Sequence, residues 1–249
     1  MSAPRILAIF LALALTTLPT QRAFPRSDDA VAQAAAQRVG PGLRRDLAAD
    51  GLALGNPVFI RIFKHERVLE VWLRKRDRFV LFRSYAICTY SGALGPKQRQ
   101  GDGQSPEGFY VVRAGQLNPH SQFHLAFNLG YPNAYDRALG RSGDFLMVHG
   151  NCVSIGCYAM GDAQIEQIYT LMAAALQSGQ TGIDVHIFPF RFEKSPLADW
   201  QRQPWGSFWA NLREGYDAFA HTGLPPTITV AKQRYQVRER AAAQTAAAP

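Results

Sequence analysis

The densest chemistry in this sequence lies in one run, Met147-Val148-His149-Gly150-Asn151-Cys152-Val153-Ser154-Ile155-Gly156-Cys157-Tyr158-Ala159-Met160. It holds an imidazole and two thiols. The thiolate is the nucleophilic form of cysteine, and a nearby histidine can take the thiol proton, so His149 pairs chemically with Cys157 or with Cys152. Gly156, directly before Cys157, lets a substrate carbonyl approach the backbone closely. The N–H groups around Cys157 could then stabilise an oxyanion. Three other readings fit the same residues. Either thiol can be inert packing, because cysteine is among the most buried residue types. His149-x2-Cys152-x4-Cys157 could be part of a metal site, although no fourth ligand is near and the tight Cys pair of structural zinc is missing. The thiols could also join in a disulfide.

The elements that must position this run are mostly strands. Val58, Ile60 and Ile62 alternate with Phe59, Arg61 and Phe63, and the turn Lys64 to Arg67 leads into Val68 to Leu73, a hairpin signal. A charged turn at Arg74 to Arg78 precedes Phe79 to Phe82 and Tyr85 to Cys88, which completes a meander. Ser91 to Gly108 carries too many glycines and prolines for an element and reads as a long, functional loop before the strand Phe109 to Val112. Phe123 to Leu129 and Asp144 to Val148 are two further strands, and Ile183 to Phe188 is another. Between them, Ile165, Ile168, Tyr169, Met172, Ala175 and Leu176 share one helical face, with Asp162 placed to cap. A second amphipathic helix spans Ser207 to Ala220, and its Trp and Phe stripe is most simply core. A short helix capped by Ser27 is expected over Asp28 to Arg38, ending at Gly40-Pro41-Gly42. Residues 233–249 read as a disordered tail.

The chain has 249 residues, 47% of them hydrophobic, which excludes global disorder. Met1 to Ala23 holds Arg5, an apolar run from Ile6 to Leu15 extended through Leu18, and no acidic residue, the pattern of a secretory signal. That run is about half the ~20 residues a bilayer span needs. The exit from Leu18 to Ala23 does not fix a cleavage point. The net charge of +8 becomes +6 without Arg5 and Arg22 and favours anionic envelope partners over nucleic acid, which is out of place beyond the cytoplasm. Charge that only maintains solubility explains it equally well.

The His149 to Met160 run resembles the active-site motif of the YkuD-type L,D-transpeptidase catalytic domain, a His-Gly strand end followed by a Ser-x-Gly-Cys loop. More narrowly it resembles the YafK-like branch of that family. The stretches Phe59 to Lys64, Cys88 to Lys97, Gly101 to Tyr110, Tyr131 to Asp136 and Phe188-Pro189-Phe190 agree in the expected order, so the resemblance covers roughly Val58 to Arg191. It departs from the wider family in having Ile155 for a second His, Ala159 for an Arg, and a shorter interval from His149 to Cys157.

The resemblance implies an α+β, mainly β fold with two curved sheets and peripheral N- and C-terminal helices. The implied organisation is a signal peptide over 1–23, a helical lead-in over 24–55, a catalytic domain over 56–191, a helical extension over 192–232 and the tail. Cys157 becomes the nucleophile and His149 its base, with Gly156, Ser154 and Tyr158 shaping the loop or the oxyanion site. No cofactor and no metal is implied. The partners are peptidoglycan stem peptides, with a peptidoglycan-linked lipoprotein as the substrate of a hydrolytic alternative, in the periplasm or cell envelope, serving cell-wall biogenesis and cell shape. With Cys157 kept free, Cys88 and Cys152 are the thiols that could pair, and two buried free thiols are the alternative. Asn128, Tyr131, Asn133 and Arg137 suit a polar peptide, although turn formation explains Pro132-Asn133 as well. His124 and His186 read as core or surface residues. A papain-like peptidase would need its Cys near the mature N-terminus and its His far downstream. A non-catalytic envelope-binding module, using only the basic charge, is the rival of a different kind.

Overall fold

Strand β1 (Val58–Phe63) is buried along its whole length, and the rest of the fold follows from covering both its faces. The computed structural model describes residues 30–196 and 198–241, so the expected signal segment, the expected cap Ser27 and the last eight residues lie outside the described residues. β1 pairs antiparallel with β2 (Val68–Lys75), which pairs with β3 (Arg78–Ala86) as the meander expected. After β4 (Thr89–Tyr90) and β5 (Gly108–Val112), the hairpin of β6 (Leu117–Ser121) and β7 (His124–Asn128) leads to helix α2 (Ala134–Ala138), then β8 (Met147–His149) and β9 (Tyr158–Ala159). Helix α3 (Asp162–Gln177) and strand β10 (Ile183–Phe188) follow. One five-stranded sheet runs β3-β2-β1-β10-β5, with β10 parallel to β1, and the other runs β4-β9-β8-β7-β6.

The period-2 rule assigns the two faces of β1 to different cores. Val58, Ile60 and Ile62 meet Leu125, Phe127 and Val148 of the second sheet together with Ile165, Ile168 and Met172 of α3. Phe59 and Phe63 point the other way, to helix α4 (Gly206–Thr222), whose Trp209, Leu212, Tyr216 and Phe219 form the apolar stripe read from the sequence. Arg61, between them, is only 6% exposed; its guanidinium lies over the rings of Tyr216 (4.4 Å) and Phe63 (4.8 Å), which accept a buried cation through their π faces.

Three expectations are corrected. Helix α1 (Ala30–Ala49) does not stop at Gly40-Pro41-Gly42 but continues through Pro41. Pro41 removes one hydrogen bond of the helix, but Ala35, Leu43 and Leu47 are buried in the core shared with α3, and that packing outweighs the local penalty. The residues from Gln233 are not wholly a disordered tail: β11 (Thr227–Ala231) and β12 (Arg234–Arg238) form a hairpin, and Tyr235 is 2% exposed against Phe109 and Tyr135. The extension after residue 191 is therefore not purely helical. Asp162 does not cap α3, whose N-cap is Gly161; its carboxylate accepts from the Asn151 N–H at 2.7 Å instead.

Candidate active site

His149 ends β8 and Cys157 immediately precedes β9. The two strands pair parallel, with Val148 opposite Tyr158 and His149 opposite Ala159, so the eight-residue excursion between them returns the chain beside its own start. Cys157 is thereby set near Met147, whose N–H donates to Sγ at 3.4 Å. From strand spacings of ~3.3 and ~4.8 Å, the Cα atoms of His149 and Cys157 are about 8 Å apart. The thiol can donate to the Phe145 carbonyl at 3.7 Å and is partly exposed.

The imidazole is 2% exposed, and its Nδ1 lies 2.5 Å from the Gly150 carbonyl. A carbonyl can only accept, so Nδ1 carries the proton and Nε2 keeps its lone pair, the form a general base requires. Burial pushes the His149 pKa down, against the Gly150 carbonyl, which favours the imidazolium. Burial pushes the Cys157 thiol up, against the Met147 N–H and the Lys97 ammonium. With the imidazole depressed and the thiol raised, both groups rest uncharged at neutral pH, and a thiolate forms when the thiol proton moves.

The loop between them is held by small polar groups. Ser154 Oγ donates to the Cys157 carbonyl at 2.7 Å and accepts from the Gly156 N–H at 3.2 Å. Gly156 has φ +145, a conformation open to glycine alone in practice. Tyr158 is fully buried and donates to the Pro106 carbonyl at 2.7 Å, so it ties β9 to the 91–107 loop and turns its hydroxyl away from the surface. Cys88 and Cys152 are disulfide-bonded with Cα atoms 5.4 Å apart, which leaves Cys157 as the free cysteine. No group of three or more His, Cys, Asp or Glu among the described residues could hold a metal ion.

The four residues expected to bind a polar peptide each make hydrogen bonds within the protein. Asn128 accepts from the Gly130 N–H at 2.8 Å, and Asn133 caps α2 while donating to Phe109 O and Tyr235 Oη, each at 2.8 Å. Tyr131 donates to the Lys97 carbonyl at 3.2 Å, and Arg137 donates to the Pro132 carbonyl. Asn128 and Arg137 thus bond within their own turns, while Tyr131 and Asn133 also reach residues far along the chain.

Several residues that sequence reasoning passed over define the site. Lys64 and Glu107, both fully buried, pair at 3.2 Å beneath the 91–107 loop. Lys64 Nζ donates to the carbonyls of Ala93 (2.7 Å), Gly95 (3.0 Å) and Ser105 (3.0 Å), while Glu107 accepts from the Gly95 N–H and from Trp209 Nε1 of α4. Ser105 Oγ then donates to the Cys157 carbonyl at 3.1 Å. Lys97, 4% exposed, pairs with Asp102 at 2.5 Å. The stretch Phe59 to Lys64 signalled Lys64 only as a turn residue; its partner lies 43 positions away, beyond the reach of any local pattern. A groove of about 610 Å³ between α1 and α3, lined by Ala32, Ala36, Leu117, Ala173 and Leu176, touches none of these groups.

The likeness to known proteins spans the stretch that holds these residues. A profile of the YkuD L,D-transpeptidase catalytic domain matches residues 57–187. The protein of Escherichia coli (strain K12) named "Putative L,D-transpeptidase YafK" is 48% identical over 184 residues, covering 74% of this chain and 75% of that one. Among solved structures, the helical cell shape determining protein Pgp2 from Campylobacter jejuni matches at 22% identity and a TM-score of 0.45, over 66% of this chain and 57% of that one. Bd1075 of Bdellovibrio bacteriovorus matches at 22% identity and a TM-score of 0.39, over 66% of this chain and 60% of that one. The chain thus spans less than two thirds of either solved structure. By the extent of the profile match and the identity to the Escherichia coli protein, it belongs to the YkuD family of L,D-transpeptidase catalytic domains.

Proposed function

We propose that this protein is a peptidoglycan-modifying cysteine acyltransferase of the cell envelope, and that Cys157 forms a thioester with the diamino acid of a stem peptide before passing it to an amine. The observation that carries this reading is a free Cys157 directly before the strand that pairs with the one ending in His149, whose Nε2 is left unprotonated. Family membership supplies the substrate class.

In the proposed reaction Nε2 takes the thiol proton and Sγ attacks the amide after the third stem residue, where the diamino acid precedes D-Ala. The C–N bond breaks, and the imidazolium returns its proton to the departing amine. Nε2 then deprotonates the acceptor, which displaces Sγ. An acceptor amine gives a cross-link and water gives hydrolysis. The Met147 N–H and the Lys97 ammonium favour the thiolate while it exists.

Incubating the protein with tetrapeptide-stem muropeptides and lipoprotein-linked tripeptide stems, beside Cys157→Ala, tests this by product mass. New dimers with loss of D-Ala, absent from the variant, are the expected result. Tripeptide or released lipoprotein peptide without dimers makes the enzyme a hydrolase with the same thiol. Products identical for both proteins would overturn the assignment, and retained binding to sacculi without turnover would leave a binding module. The protonation states add a sign. Because the imidazole is depressed and the thiol raised, kcat/KM holds constant down to pH values below the ordinary imidazole value of about 6.5, and alkylation of the substrate-free thiol rises only above the ordinary thiol value of about 8.5.

A further inference from the structure

The β6–β7 hairpin ends on a tip that the motif gives no reason to expect. Ser121 pairs with His124, which leaves Gln122 and Phe123 as the turn, and the Phe123 N–H donates to Ser121 Oγ at 3.0 Å. The ring of Phe123 stacks on the imidazole of His149, with centroids 4.7 Å apart and an interplanar angle of 29°. The tip also closes on the residue after the base. A Cβ on Gly150 would lie 2.7 Å from the Phe123 carbonyl and 2.6 Å from Asp162 Oδ1.

That tip is tied to the body of the protein from one side. His124, in a left-handed conformation with φ +70, places Nε2 2.7 Å from Glu166 Oε1 on α3. Glu166 in turn is gripped by Arg38 of α1, through Nη2 at 2.5 Å and Nε at 3.2 Å. Arg38 lies outside the residues matched by the family profile, 57–187. A chain of charge-assisted bonds therefore runs from the lead-in helix to the residue next to Phe123.

We infer that Phe123 is a positioning residue that keeps one face of the His149 ring free of water, and that Arg38, Glu166 and His124 hold Phe123 in place. The inference rests on the role proposed for His149. A π face attracts an imidazolium and would favour protonation, while exclusion of water penalises it. Burial wins here, because His149 retains only 2% of its accessible surface. Phe123 itself is 38% exposed, so its outer side faces solvent and a smaller side chain would admit water to the ring. The titratable groups on the elements that adjoin His149 are His124 on β7, Cys157 before β9, and Asp162 and Glu166 on α3, with Arg38 bonded to Glu166; the His149 shift itself has burial and the Gly150 carbonyl as its causes.

The test is an NMR titration of the His149 imidazole, assigned by loss of its signals in His149→Ala, in the parent, Phe123→Ala, Phe123→Trp and Glu166→Gln. Phe123→Ala moves the His149 midpoint up toward the ordinary imidazole range, Phe123→Trp restores the parent value, and Glu166→Gln moves it in the same direction by less. With stem-peptide substrate, kcat falls about tenfold in Phe123→Ala, against the ~10²–10⁴-fold expected on removing a general base. A His149 midpoint unchanged in Phe123→Ala overturns the inference, as does an upward shift that Phe123→Trp fails to reverse. Should Phe123→Ala not fold, the sign of the Glu166→Gln shift decides: unchanged or downward sinks it. The titration reads the imidazole whether or not the parent turns over, so an inactive parent would defeat the proposed function while this result stood separately.

Discussion

The 91–107 loop and the 150–156 loop both end at the carbonyl of Cys157, the first through Ser105 and the second through Ser154. They are anchored by different forces. Beneath the first, Lys64 and Glu107 have no exposed side-chain surface, and every donor of the ammonium meets a carbonyl. The second has no such root. Its Ile155 is 91% exposed and Val153 51%, and it is fixed at the surface by the bond from Cys152 to Cys88 and by the Asn151 N–H on Asp162. A buried charge pair punishes any local rearrangement, because moving either partner strands the other in a low dielectric. A disulfide at the surface limits how far a loop strays and leaves its side chains free to meet a substrate. The site thus has a stiff floor and a tethered, accessible rim.

Three variants probe that contrast. Lys64→Met leaves Glu107 charged and unpaired in the interior and should cost about 3–5 kcal/mol in denaturant unfolding at pH 7. Replacing Cys88 and Cys152 by Ser should cost about 2–4 kcal/mol, read in the same experiment. A larger loss than that of Lys64→Met would invert the comparison. Ile155→Asn should change stability by no more than about 0.5 kcal/mol, because the side chain has little packing to lose, and its effect should fall on KM. A loss of 2 kcal/mol or more would show that the rim is packed after all.

What could be read from sequence was what is local. The alternation in Val58 to Phe63 and in Ile183 to Phe188, the helical face from Ile165 to Leu176, and the His149 to Cys157 run each sit within one element or one turn, and the structure places them as elements accordingly. The features that escaped depend on partners far along the chain. Pro41 stays helical because of residues on α3, and Tyr235 is a strand residue because Phe109 and Tyr135 receive it. Lys64 reads as a turn lysine until Glu107 is beside it, and Phe123 as a strand start until its ring is found on His149. Asn128 bonds the backbone two residues away, as its turn suggests, whereas Asn133 caps α2 and also reaches Phe109 and Tyr235, which no local pattern shows.

The parallel pairing of β1 with β10 bears on when the molecule can fold. Ile60 and Val185 are neighbours across the sheet although 125 residues separate them, and β10 stands between β1 and β5. Contacts of such long range form slowly, because the chain must close a large loop before any of them is rewarded. A polypeptide delivered from its N-terminus lacks the middle of its main sheet until Phe188 arrives, and both β1 and β5 present an open edge in the interval. This topology therefore holds back the closure of the main sheet, and with it the aromatic core around Phe63 and Phe188, until residue 188 is present.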